Sequence, residues 1–302
     1  LTERSEAAAP LLVAEATGAF ADEGLAVEVT DLAGDEAFAA MARGDVDVVV
    51  GGVDAPFFDA VESGLAARLV LGGQVARDPS DLEQPQAGLW MRADLLDSAE
   101  DGPEWANVEG QTILVPGGSG SGALYPIDTV LSQNELGANA VDVAEAPASD
   151  AAARLMAAAV GGAWLTEPAA TAVAGDEALA LVTTTPGSEA IDGTMFSPRL
   201  LGADRAAGAA YVRAVVRTIN THLADGYDDE ALAAVAAGLE VDEDQVADGP
   251  DPLFDWEIRA GTTDRIQDAL TTIGAVRYER PLAEDAVVDR SLVAEVVGPP
   301  AG

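Results

Sequence analysis

EGLAVEVTDLAGDEAFAAMARGDVDVVVGGVDAPFFDAVESG, residues 23 to 64, and ELGANAVDVAEAPASDAAARLMAAAVGGAWLTEPAATAVAG, residues 135 to 175, share one layout. Each reads as strand, helix, strand, helix. Val27-Glu28-Val29 is answered by Val141-Asp142-Val143, and Met41 by Met156. In each copy the second strand runs into an acid and a proline that open a helix, Asp54-Ala55-Pro56 in one and Glu167-Pro168 in the other. Two similar α/β lobes set face to face make a cleft, and clefts between lobes hold ligands.

Composition sets the class around that repeat. A chain of 302 residues with 49% hydrophobic and only 5% aromatic content has the material for one large core or two ordinary ones. Fifty-three acidic residues stand against 15 basic ones, a formal net charge of −38, and all 15 are arginine. Such a surface repels phosphates and anionic lipid heads, which argues against nucleic acid as a partner. Salt screens the self-repulsion and favours solubility; a halophilic origin and a GC-rich genome both produce this composition. The absence of cysteine removes disulfides, thiolate nucleophiles and zinc-thiolate sites. Nowhere do 18 apolar residues run together, so no spanning helix is expected.

Outward from the repeat, Pro10 to Phe20 reads as a helix with proline in its first turn. Strands are expected at Val27–Thr30, Val46–Val50 and Arg68–Leu71, with the intervening helices closed by Gly44 and Gly64. Gln74–Gln86 is polar and proline-punctuated, a loop. Gly88–Met91 resumes strand character, and the acid-rich stretch Asp94–Glu109 belongs to the surface. From Gln111 to about Val182 a second lobe runs strand, helix, strand, helix, strand, and the turn-rich Thr183–Gly193 leads back. Val212, Val216, Ile219 and Leu223, spaced by four, three and four, mark the buried face of a long helix. The tail from Asp255 to Val297 is helical and acidic. The division expected is residues 1–87 with 194–302 as one lobe and 88–193 as the other. Paired crossovers make a hinge.

The run Ala9-Pro10-Leu11-Leu12-Val13-Ala14, then Gly18-Ala19-Phe20, Glu23-Gly24-Leu25 and Arg43-Gly44-Asp45-Val46-Asp47 resembles the opening of a known family. That family is the substrate-binding proteins of nitrate, sulfonate, taurine and thiamine-pyrimidine ABC importers. The resemblance continues through Val108-Glu109-Gly110-Gln111-Thr112-Ile113, Trp164-Leu165-Thr166-Glu167-Pro168, Ile273-Gly274-Ala275 and Val288-Asp289, nearly the whole chain. It implies a two-lobed periplasmic-binding-protein fold of the second type. It also implies an extracytoplasmic, monomeric receptor, periplasmic or lipid-anchored, that binds a pyrimidine- or sulfonate-like solute, docks on a membrane permease and needs no cofactor, metal or catalytic residue. The family's first strand precedes the Pro10 helix, and Leu1–Ser5 are the residues available for it.

The candidate site residues follow from chemistry at the cleft edges. Gly117-Gly118-Ser119-Gly120-Ser121-Gly122 follows a strand and opens a helix, so its backbone N–H groups are placed to receive an anionic or polar ligand group. Ala123 stands where a P-loop needs lysine, and Gly120 where a hydrolase elbow needs serine. A dinucleotide fingerprint is formally matched by Gly118, Gly120 and Ala123 but begins mid-chain. Asp54 and Glu167 face the ligand as acceptors for an amine, amide or aminopyrimidine, or else cap their own helices. Ser5, Gly118, Ser119, Gly120 and Ser121 complete the polar candidates. Six of the fourteen aromatic residues fall near expected cleft edges: Phe57, Phe58, Trp90, Tyr125, Trp164 and Phe196. Trp90, Tyr125, Trp164 and Phe196 are candidate ligand contacts and Phe57 and Phe58 candidate core. An enzyme on the same fold, similar to thiamine-pyrimidine synthases or menaquinone-pathway enzymes, is the competing class; the synthases' cysteine cluster has no counterpart here.

Overall fold

A computed structural model describes residues 1–76, 86–96, 105–187 and 189–298. The expected loop over Gln74–Gln86 and the acidic stretch Asp94–Glu109 thus lie partly outside the described residues. The strands are β1 (Val48–Gly52), β2 (Arg68–Gly72), β3 (Gln74–Val75), β4 (Gly88–Arg92), β5 (Thr112–Val115), β6 (Asp142–Glu145), β7 (Gly162–Leu165), β8 (Leu179–Thr183), β9 (Asp192–Phe196) and β10 (Leu253–Phe254). The helices before the second sheet are α1 (Ala9–Ala16), α2 (Ala19–Asp22), α3 (Gly34–Arg43) and α4 (Ala55–Glu62). Those around it are α5 (Leu124–Gln133), α6 (Ala148–Met156) and α7 (Ala169–Val173). The C-terminal part adds α8 (Pro198–Leu201), α9 (Arg205–His222), α10 (Asp229–Leu239), α11 (Glu243–Ala247), α12 (Thr262–Thr272), α13 (Glu284–Val287) and α14 (Ser291–Val297).

Two sheets carry these elements. β1, β9 and β2 form one, in that order, with β9 antiparallel to both neighbours. The other has the order β6-β5-β7-β4-β8; β5 runs parallel to β6 and β7, while β4 runs antiparallel to β7 and β8. The chain leaves the first sheet at Gly72 and enters the second at Gly88, then leaves the second at Thr183 and re-enters the first at Asp192 rather than after Gly193. The two short strands β3 and β10 pair with each other.

The quoted repeat is realised as β1, α3 and α4 in one copy and β6, α6, β7 and α7 in the other. The exception is Val27–Thr30, which joins no ladder. There the chain start supplies the neighbour: the Leu1 ammonium donates to the Thr30 carbonyl, Leu32 N–H to the Leu1 carbonyl and Thr2 N–H to the Val50 carbonyl. Leu1 and Thr2 thus sit between the 30–32 segment and β1, bonding each side too briefly for a strand. The helix expected over Pro10–Phe20 is broken into α1 and α2 at Gly18, whose φ of 76° ends one helix before the next begins. Val212, Val216, Ile219 and Leu223 are all buried, as their spacing requires.

The core is continuous across the sheets. Phe57 and Phe58 of α4 lie in one apolar cluster with Ile113 and Val115 of β5, Ile127 and Leu131 of α5, and Ile266 and Leu270 of α12. A second cluster packs α1 and α9 under β1, β2 and β9, and a third packs α6 and α7 on the opposite side of the second sheet. Most of the hydrophobic stabilisation comes from such burial, at about 25 cal/mol for each Å² of apolar surface.

Candidate functional site

Strand register collects carboxylates at one end of the first sheet. In the β1–β9 pairing Gly52 lies opposite Asp192, so the C-terminal end of β1 and the N-terminal end of β9 meet. Asp54 follows two residues beyond Gly52. The Thr2–Val50 hydrogen bond lays the chain start alongside, which brings Glu3 to the same place. All three line a cleft of ≈ 1020 Å³ whose walls come from both sheets.

These acids are only partly exposed where they line the cleft, and that burial raises their pKa values. Burial pushes Asp54 up to about 6, opposed by one backbone bond from Gly122 N–H to its Oδ1 at 2.7 Å. Burial, with the Asp54 charge adding to it, raises Glu3 to about 7. Asp192 also rises to about 7, through burial and the charges of Glu3 and Asp54, although Gln74 N–H donates to its Oδ1 at 2.9 Å. Desolvation and like charge both disfavour the ionised form.

A second acidic group lies where β7 ends. Glu167 is 2% exposed; its Oε2 accepts from Thr171 N–H at 3.0 Å, and its Oε1 has no hydrogen-bond partner. Burial raises its pKa. Glu6, only 1% exposed, leaves both carboxylate oxygens unpartnered and is pushed up to about 8 by burial and by the charge of Glu167. The Tyr227 hydroxyl stands near enough to Glu6 to oppose that rise, though outside hydrogen-bonding geometry.

Of the two acids that precede a helix, Glu167 caps its own and Asp54 does not. Asp54 makes no side-chain bond to the helix it precedes; its carboxylate reaches across to Gly122 of the second lobe. Glu167, which lines the cleft, spends one oxygen on the first turn of α7 and leaves Oε1 without a partner.

Of the sequence candidates, Ser5, Asp54, Gly120, Ser121, Trp164 and Glu167 line the cleft. Trp90, Gly118, Ser119, Tyr125 and Phe196 are not among its lining residues. Phe196 is fully buried edge-on to Tyr211. Trp90 packs in the second-lobe core with its indole N–H on the Gln86 carbonyl. Tyr125 lies under the Arg265 guanidinium, 5.9 Å from its ring centre. A side chain at Gly118 would meet Glu145.

The glycine turn also differs from an open anion cradle. Gly120 N–H donates to Gly117, Ser121 N–H to Gly118 and Gly122 N–H to Asp54, so three donors of the expected nest are already satisfied within the protein. Sequence reasoning missed Glu3, Glu6 and Asp192. The signal for the first two was a pair of acids beside the apolar run that begins at Ala7; Asp192 was hidden in a stretch read only as a crossover.

Among the described residues lining the cleft, seven are acidic: Glu3, Asp35, Asp54, Glu145, Glu167, Asp192 and Asp251. Arg4 is the one basic side chain there. Its guanidinium is held by Asp31, at 2.9 and 2.7 Å, and by the Gly238 carbonyl. Apolar wall is supplied by Pro56, Pro168, Trp164 and several alanines.

No family model and no curated protein matches this chain. Solved structures do. A ligand-binding component of an ABC-type import system from Staphylococcus aureus, with zinc bound, superposes with a TM-score of 0.70 at 12% identity, covering 98% of this chain and 97% of that one. The periplasmic aliphatic sulphonate binding protein SsuA from Escherichia coli gives 0.65 at 12% identity, over 95% and 96%. The periplasmic nitrate-binding protein NrtA from Synechocystis PCC 6803 gives 0.66 at 15% identity, over 97% and 86%. The coverage takes in both sheets and the C-terminal helices, and the chain therefore has the two-lobed fold of the periplasmic binding proteins.

Proposed function

We propose that this protein is the solute receptor of an ABC importer, binding a small organic molecule between its lobes and closing on it. The observation that carries this reading is the cleft itself: a cavity of ≈ 1020 Å³ walled from both sheets, with polar groups converging on apolar surface. Closure swings the lobe of residues 1–76 and 192–298 against the lobe that carries the second sheet. Closure is driven by the difference in the ligand's affinity for the open and closed states. Asp54, whose carboxylate already bonds Gly122 across the lobes, keeps the two walls in register.

The fold shared with SsuA, NrtA and the staphylococcal import component supports a place outside the cytoplasmic membrane, free or lipid-anchored, and a permease as partner. Among the described residues no helix is long and apolar enough to cross a membrane. The receptor acts as a monomer in this reading.

A second reading, an enzyme on this fold, draws on the raised carboxylates, because groups titrating near neutrality serve acid and base catalysis. The chemistry beside them favours binding. The chain contains no cysteine, and its one histidine, His222, is bonded to Asp228 at 2.7 Å and does not line the cleft. Mass spectrometry of a bound compound after prolonged incubation separates the readings: the receptor returns it unchanged, the enzyme does not.

Thermal-shift screening tests the receptor directly. A ligand at 100 times its dissociation constant adds about 2.7 kcal/mol to stability, a readily measured rise in melting temperature. A hit that raises the melting temperature without compacting the protein in solution scattering contradicts hinge closure.

A further inference from the structure

We propose that the cleft takes an organic cation, a molecule with a protonated nitrogen on an apolar body, whose charged end docks at Glu167. The inference rests on the receptor reading and deepens it by naming the ligand class. It parts from the sulphonate and nitrate that SsuA and NrtA bind, because the cleft here is lined mainly by acidic side chains.

The geometry has three supports. First, Glu167 is almost wholly buried, lines the cleft and keeps Oε1 without a partner. A buried acceptor with nothing to accept from is destabilising unless a ligand supplies the donor. Second, the groups around it offer no donor cation. Near it are Glu6 from the start of the chain, the Tyr227 hydroxyl between α9 and α10, which Asp251 beyond α11 also approaches, and Thr171 on α7. Three more of the cleft's carboxylates, Glu3, Asp54 and Asp192, crowd one another, and Arg4 is already held by Asp31 and Gly238. Third, the glycine turn is not an open anion cradle, since the N–H groups of Gly120, Ser121 and Gly122 are bonded within the protein.

An organic cation fits better than a metal ion. Among the described residues no group of three His, Cys, Asp or Glu side chains is placed to hold a metal. The lining instead combines carboxylates with proline, alanine and the largely buried Trp164, an apolar surround suited to the body of an organic cation. A positive ligand beside Glu167 also favours ionisation of the acids that burial and mutual repulsion keep protonated. Binding therefore expels protons, and affinity rises with pH through the range in which Asp54, at about 6, and Glu3 and Asp192, at about 7, ionise.

Isothermal titration of the full chain tests this with agmatine, spermidine and choline as organic cations, taurine, methanesulfonate and nitrate as anion-bearing probes, and zinc and calcium as metal ions. At least one organic cation is expected to bind at pH 7.5, to release protons as judged from buffers of different ionisation heat, and to bind about tenfold or more weakly at pH 5.5. Glu167→Gln is expected to weaken that binding by about tenfold or more, because a charge-assisted hydrogen bond is lost. Asp192→Asn, in a separate cluster, is the second variant should Glu167→Gln fold poorly, and the binding is expected to weaken there too. If taurine, methanesulfonate or nitrate binds and compacts the protein while the cations do not, the cation assignment is overturned and the receptor reading stands. Binding confined to zinc or calcium overturns it as well. If no probe of any class binds, the cation assignment falls, and the compound screen decides the receptor reading separately.

Discussion

Glu6 shows at the scale of one residue how the site is tuned. Its ordinary pKa lies in the carboxylate range, and the folded protein moves it to about 8, first by burial and then by the nearby Glu167 charge. Between those values the folded state holds a proton that the unfolded chain has lost, so stability falls as pH rises through the interval. Glu3 and Asp192, raised to about 7, and Asp54, raised to about 6, act in the same direction over narrower intervals. The ligand-free protein is thus expected to melt at a higher temperature at pH 5.5 than at pH 8, and Glu6→Gln to remove part of that slope. A melting temperature that climbs from pH 5.5 to pH 8 at constant ionic strength contradicts the burial assigned to these acids. Asp54 and Glu167 were legible as cleft residues because each stands in the same place of a repeated pattern. Asp192 was not, since only the β1–β9 register brings it beside Asp54, and no local pattern encodes an antiparallel partner 140 residues away.

At the scale of elements, periodicity and helix-end chemistry carried far. The α9 stripe, the strand at Thr112–Val115 and the left-handed cap at Gly44 all follow from residue types at fixed spacing. Reading failed where a partner decides the state. Val27–Thr30 has the composition of a strand but joins the chain start by a single bond, from the Leu1 ammonium to the Thr30 carbonyl, and the turn at Gly117–Gly122 has the composition of an anion nest but bonds to its own chain and to Asp54. Two glycines of that turn separate these roles. A Cβ at Gly122 would stand 2.8 Å from the Val53 carbonyl oxygen, whereas one at Gly120 meets nothing nearer than the Ala55 methyl at 3.5 Å. Gly122→Ala is therefore expected to destabilise the protein by about 1–3 kcal/mol through overpacking at the lobe junction, while Gly120→Ala stays within about 0.5 kcal/mol. Gly120→Val, which adds bulk between the turn and α4, is expected to weaken ligand binding with the fold retained. Chemical denaturation of the three variants checks the order, and a Gly122→Ala protein as stable as the parent contradicts the close approach.

For the whole molecule the governing quantity is a net charge of −38. Most of the described arginines are engaged with carboxylates, among them Arg199 with Asp47 and Asp204, Arg213 and Arg217 with Glu23, and Arg265 with Glu189. The remaining acids repel one another over distances that salt shortens to about 10 Å at 0.1 M and 3 Å at 1 M. Raising sodium chloride from dilute buffer to 1 M is expected to raise the melting temperature; a flat response means the acids are too widely spaced to matter. The same field draws cations toward the cleft and pushes anions away, in keeping with the site it surrounds. Two lobes, two passages of chain and one cleft between them make closure on a ligand the central claim. Small-angle scattering with and without a ligand identified by thermal shift tests it most directly. The account predicts a smaller radius of gyration in the bound protein; an unchanged radius at saturation would contradict it.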